Sequence, residues 1–147
     1  TAETTLRLAR DFENIVAIKE ASGNIGQMDE IIKNKPEGFD VISGDDGITF
    51  PLITLGAVGV ISVLGNAFPA EFSQMNRLAL EGNYAEALTI HHQFTEIINL
   101  LFADGNPAGA KAMLNIMGMC ENKLRLPLVP AREVTYEKLR AAWEAFK

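Results

Sequence analysis

The chain has 147 residues, 48% of them hydrophobic and 22% charged, which is enough for one ordinary core and too apolar for a disordered chain. A formal net charge of −6, with no basic run, argues against nucleic-acid binding, which needs phosphates to be neutralised. The one cysteine, Cys120, excludes an intrachain disulfide and fits a reduced, cytoplasmic setting.

No signal-peptide signature stands at the start, and the chain opens at Thr1 without a methionine, directly into helical pattern, as expected of a fragment or a processed piece. Residues Glu3 to Ala9 read as a short helix. Ile15-Val16-Ala17-Ile18-Lys19-Glu20 reads as a parallel strand covered on both faces, with Ile15, Ala17 and Lys19 on one side. Asn24 is placed to cap a helix running to about Lys33. Phe39 to Gly44 is a second strand, ending in Asp45-Asp46-Gly47, and a short helix follows near Ile48 to Leu55. Gly59-Val60-Ile61-Ser62-Val63 is expected as a third strand. Strand, helix, strand, helix, strand at this spacing indicates parallel βαβ units.

From Gly47 to Ala70 there is no charged residue. A membrane span is set aside here, because Pro51, Gly56, Gly59 and Gly65 interrupt the stretch and its character turns strand-like at Gly59. The remainder is helical. Pro69 suits a first helical position, with Gly82 closing that helix. A long helix follows from about Tyr84 to Phe102, with Tyr84, Leu88, His91, Thr95, Ile98 and Leu101 as its expected inner stripe. Asn106-Pro107 begins another helix, carrying Ala110, Met113, Leu114 and Met117. Prolines hold Arg125 to Pro130 extended. Thr135 is expected to cap a final helix with Leu139, Ala142, Trp143 and Phe146 on its packed side. The pattern divides the chain into residues 1–82, with strands, and residues 83–147, all helical.

Lys19 is the residue with chemistry to offer. Lysine is seldom buried without a partner or a task. Attack on a carbonyl requires a neutral amine, and an ordinary lysine pKa of about 10.4 leaves roughly one in 2,500 neutral at pH 7. An apolar niche disfavours the ammonium, so Lys19 in such a niche is a candidate Schiff-base nucleophile. The plainer reading is a strand-end lysine with its amine in water. Topology puts Lys19, the Gly44-Asp45-Asp46 turn and the Ser62 to Gly65 segment at the carboxyl ends of neighbouring strands, where α/β folds bind ligands. By themselves, Asp45 and Asp46 also read as a capping turn; a metal site is the lesser alternative, since Ca²⁺ or Mg²⁺ usually needs more oxygen ligands than one pair supplies. His91 and His92 read as packed or interface histidines, and Cys120 as structural. No phosphate-binding glycine pattern is present.

Ile15 to Asn24 resembles the lysine strand of the dihydrodipicolinate synthases, Schiff-base pyruvate aldolases built on a (β/α)8 barrel. Ile42-Ser43-Gly44-Asp45-Asp46, Gly59 to Val63 and Leu124-Arg125-Leu126-Pro127 agree with the same family in the same order. The resemblance covers nearly the whole chain. It implies the last three parallel strands of the barrel with their helices, followed by an all-helical C-terminal extension. It implies Lys19 as the imine-forming residue and Ile61 as a position whose backbone contacts bound pyruvate. Gly44 and the acidic pair would line the pocket.

The implied reaction condenses pyruvate with L-aspartate 4-semialdehyde, the entry to diaminopimelate and lysine synthesis, with no metal or organic cofactor. The N-acetylneuraminate lyases share the lysine but typically differ at Gly44-Asp45-Asp46, so they rank second. The family is commonly tetrameric, so the resemblance implies a homo-oligomer. The first five strands of the barrel have no counterpart here, nor do the hydroxyls and arginine they carry, and Tyr84 and Tyr136 do not match the family's tyrosines. The expectation is a C-terminal part that is inactive, or nearly so, alone. A non-catalytic half-barrel interaction module is the reading from another class.

Overall fold

Thr1 accepts the amide of Thr4 on its side-chain oxygen and so starts α1, Ala2–Asp11, in the computed structural model, which describes all residues from Thr1 to Lys147. The order that follows is β1 (Ala17–Glu20), α2 (Ile25–Asn34), β2 (Asp40–Ser43), a 3₁₀ turn (Asp46–Ile48) and α3 (Thr49–Leu55). A second 3₁₀ turn (Leu64–Asn66) leads to α4 (Pro69–Leu80), α5 (Tyr84–Phe102), α6 (Ala108–Ile116) and α7 (Glu133–Phe146). No helix is long and apolar enough to cross a membrane. The chain falls into two compact units, Thr1–Ser62 with Gln74–Leu88, and Val63–Ser73 with Thr89–Lys147.

In the first unit β1 and β2 are parallel, in the register Ala17 to Asp40, Ile18 to Val41, Lys19 to Ile42 and Glu20 to Ser43. Helices α1 and α2 cover one face of this pair. Ala2, Leu6, Ile31, Phe39 and Val41 form a buried cluster there, with Ile15 and Ile18 packed against it. Asn24 caps α2 as its sequence position predicts, its side-chain oxygen taking the Gln27 amide at 3.1 Å, an interaction worth about 1 kcal/mol. Met28, Leu52 and Ala57 make a second cluster between α2 and α3.

The third strand is shorter than its sequence predicts. Val58 donates to Val41, Ser43 to Gly59, and Ile61 to Ser43, so the segment runs alongside β2. Only Ser43 and Val60 form a bridge, and the sheet has two strands. Two causes lie in the backbone. Gly59 sits at φ +155°, outside the region that other residues adopt, and Val63 has already turned helical to enter the second 3₁₀ turn. The first strand likewise begins at Ala17 rather than Ile15.

The second unit is built on aromatic contacts. Phe68 lies 5.0 Å, centroid to centroid, from both Phe94 and Phe146, and 5.8 Å from Trp143. These rings fix the rotation of α5. Its buried positions are Ala87, Phe94, Ile97, Ile98 and Leu101, while Tyr84, Leu88 and Thr95 of the expected stripe are exposed. Gly109 lets α6 approach α5, since a Cβ there would lie 2.1 Å from the Leu101 carbonyl oxygen.

Thr135 does not cap α7. The helix starts two residues earlier, at Glu133, with Arg132 as its N-cap. Asp104 takes over the capping task, accepting the Arg132 amide at 2.9 Å and its Nε at 2.6 Å. The hydroxyl of Thr135, a buried residue, donates to the same carboxylate, and this bond with those from Arg132 outweighs burial and holds the Asp104 pKa below its usual value.

Candidate active site

Strand parity decides which side chains can meet. The register of β1 on β2, extended through the Ser43–Val60 bridge, puts Lys19, Ile42, Gly44 and Ile61 on one face. Ile18, Glu20, Val41, Ser43 and Val60 take the other. The second set faces the helices, and Val41, Ser43 and Glu20 are buried. The first set faces outward, with Ile61 52% exposed and Lys19 exposed. The strand is therefore covered on one face only. Lys19 is exposed within its own unit, so the apolar niche expected around its amine is not formed there.

Lys19 nevertheless has a defined seat. It is the penultimate residue of β1, at the strand's carboxyl end. Its aliphatic stem crosses the end of β2 at Gly44, where an added Cβ would meet Lys19 Cε at 2.9 Å, Lys19 Cγ at 3.1 Å and Ala21 Cβ at 2.7 Å. Only glycine leaves room for that stem. Ile61 stands opposite Gly44 on the next segment, about 10 Å from the β1 backbone by the usual spacing of strands. Its amide is bonded to the Ser43 carbonyl at 2.9 Å.

The acidic pair follows the plainer of its two readings in part. Asp45 Oδ1 accepts the Gly47 amide at 2.9 Å and so caps the 3₁₀ turn. Asp46 is buried. Ser43 and Thr49 knot the turn from beneath: Ser43 Oγ donates to the Asp45 carbonyl at 2.9 Å and accepts the Thr49 hydroxyl at 2.9 Å.

Sequence reasoning missed Glu20, the buried charged residue of β1, 5% exposed. Its Oε1 accepts the Ser22 amide at 2.7 Å, and its Oε2 accepts Ser22 Oγ and Gln27 Nε2, both at 3.0 Å. Burial alone would raise the Glu20 pKa. The bonds from Gln27, Ser22 and the Ala21 amide outweigh it, and the carboxyl is held below 4.5. The signal was present in the sequence: a glutamate ending a strand, a serine two residues on, and a glutamine in the first turn of the following helix.

A model of the dihydrodipicolinate synthetase family matches residues 1–146. The 4-hydroxy-tetrahydrodipicolinate synthase of Phocaeicola vulgatus is 78% identical over 147 residues, 100% of this chain and 50% of that protein. Among solved structures, the dihydrodipicolinate synthase of Aquifex aeolicus superposes with a TM-score of 0.95 at 40% identity, over 99% of this chain and 50% of its own. The chloride-inhibited synthase of Acinetobacter baumannii, solved in complex with pyruvate, superposes with a TM-score of 0.94 at 34% identity, again over 99% and 50%. The chain thus spans about half the length of the relatives it matches. Its α/β arrangement of parallel strands matches half of a dihydrodipicolinate synthase. With a family model running from its first residue almost to its last, the chain belongs to the dihydrodipicolinate synthetase family.

Proposed function

We propose that the chain is the C-terminal part of a 4-hydroxy-tetrahydrodipicolinate synthase and supplies the amine that activates pyruvate. Residues 1–82 would be the last portion of the (β/α)8 barrel, and 83–147 its helical extension. The observation that carries the reading is the seat of Lys19 at the carboxyl end of β1, with its stem over Gly44 and Ile61 on the same open face.

Lys19 attacks the keto carbon of pyruvate, and loss of water leaves an imine on Nζ. The protonated imine draws electrons from the neighbouring methyl group, which gives up a proton and becomes an enamine. The enamine carbon bonds to the aldehyde carbon of L-aspartate 4-semialdehyde, whose oxygen takes up a proton. The imine so regenerated is attacked at carbon by the amine of the joined substrate, and the carbon–nitrogen bond to Lys19 breaks to free Nζ. The imine is itself the electron sink, so this sequence calls on no further cofactor. The Ile61 carbonyl would face the bound pyruvate. The rest of the pocket would come from the half that this chain lacks, within a cytoplasmic homo-oligomer of the kind common in the family.

The test is a full-length chain in which this sequence replaces the matching half of the Phocaeicola vulgatus synthase. Borohydride reduction in the presence of pyruvate is expected to add a reduced pyruvyl group at Lys19, and Lys19→Ala to abolish the adduct without unfolding the protein. No adduct at Lys19 would overturn the reading and leave a non-catalytic module. Turnover by the 147-residue chain alone would overturn its dependence on the missing half.

A further inference from the structure

We propose that Glu20 is a positioning residue for Lys19, holding the end of β1 so that the amine is presented at a fixed point on the sheet's carboxyl rim. The inference deepens the proposed function and rests on it.

Glu20 is one peptide bond from Lys19, and its side chain lies on the opposite face of the strand. Its carboxylate and its carbonyl are both engaged. The carboxylate takes the amide and hydroxyl of Ser22 at 2.7 and 3.0 Å and the Gln27 amide group at 3.0 Å. Ser22 Oγ in turn accepts the Asn24 amide at 3.2 Å, and Asn24 caps α2. The Glu20 carbonyl accepts the Gly44 amide at 2.8 Å. A single residue thus ties β1 to the first turn of α2 on one side and to the seat of the lysine on the other.

Burying a carboxylate is costly unless its oxygens are satisfied, and an apolar residue would fill this site without that demand. What the carboxylate adds is direction. It binds donors of Ala21, Ser22 and Gln27, so the strand end cannot twist without breaking them. Gly44, held by the Glu20 carbonyl, is the surface on which the Lys19 stem lies. A twist of the strand through Lys19 and Glu20 would move both the amine and its support. Misplacement of a reacting group by about 1 Å costs on the order of 10²-fold in rate.

The experiment uses the same full-length chain and follows the rate of reductive trapping at Lys19 as pyruvate is varied. In Glu20→Gln one carboxyl oxygen becomes an amino group facing donors. Trapping at saturating pyruvate is expected to slow about tenfold, with little change in the half-saturating concentration. Adding Gln27→Glu restores the carboxylate–carboxamide pair in reverse and is expected to recover most of the rate. Ser22→Ala removes one donor on an exposed turn and is expected to slow trapping by a smaller factor without altering the melting temperature.

A rate unchanged in both Glu20→Gln and Ser22→Ala overturns the proposal. So does a loss confined to pyruvate affinity, or a paired variant no better than Glu20→Gln alone. Those results leave the lysine chemistry standing, because the parent chain still traps pyruvate. An absent adduct in the parent chain sinks the proposed function itself, and this inference with it.

Discussion

At the scale of single residues, Lys19 and Gly44 behave as one unit. A methyl group at 44 would sit 2.7 Å from Ala21 Cβ and 2.9 Å from Lys19 Cε, closer than side chains tolerate. Gly44→Ala is expected to cost about 1–3 kcal/mol by overpacking and to reduce trapping at Lys19 further than that loss explains, read by urea unfolding alongside adduct yield. His91 makes a pH prediction. Burial, and then the charge of neighbouring His92, lower its pKa below 6.5. The unfolded chain therefore takes up a proton at higher pH than the folded one, and stability falls as pH drops below 6.5. Glu20 adds a second window: its lowered pKa means stability lost as pH falls below 4.5. Urea midpoints measured from about pH 7.5 to 5 should decline, and His91→Gln should flatten that decline.

At the scale of elements, the sequence was most readable where local chemistry decides the structure. Asn24 before an apolar-periodic run marked the start of α2, and the limits of α5 follow from Gly82 and the turn beyond Phe102. It was least readable where tertiary contact chooses between near-equal options. The inner stripe of α5 is shifted from Leu88 and Thr95 to Ala87 and Phe94 because Phe68 and Phe146 pack on the Phe94 ring. The cap of α7 comes from Asp104, 28 residues away from Arg132, and no reading of the local text would supply it. Gly109 is another such long-range requirement. Gly109→Ala would drive a methyl into the Leu101 carbonyl and is expected to cost about 3 kcal/mol or more in chemical denaturation.

At the scale of the whole molecule, the candidate site was legible as residues and illegible as an environment. Lys19, Gly44 and Ile61 come to one face, as parallel strands at that spacing require. The cover over Lys19 was inferred from the apolar character of its neighbours, and half of that character belongs to the helix-facing side alone. β1 has a strand partner on one edge only, and Val16 beside it is 62% exposed. Leu126, in the proline-bounded loop, is 88% exposed. Unpaired edges recruit other chains. Sedimentation of the chain alone is expected to show mass rising with concentration, and Val16→Lys to reduce that rise without lowering thermal stability.

The uncovered sheet face also separates two halves of the chemistry. An enamine formed on a lysine open to bulk water is reprotonated before an aldehyde can be held against it. Whatever reactivity the chain retains on its own should therefore appear as deuterium entering the methyl group of pyruvate in heavy water, with no new carbon–carbon bond, and proton NMR of the keto acid would register it.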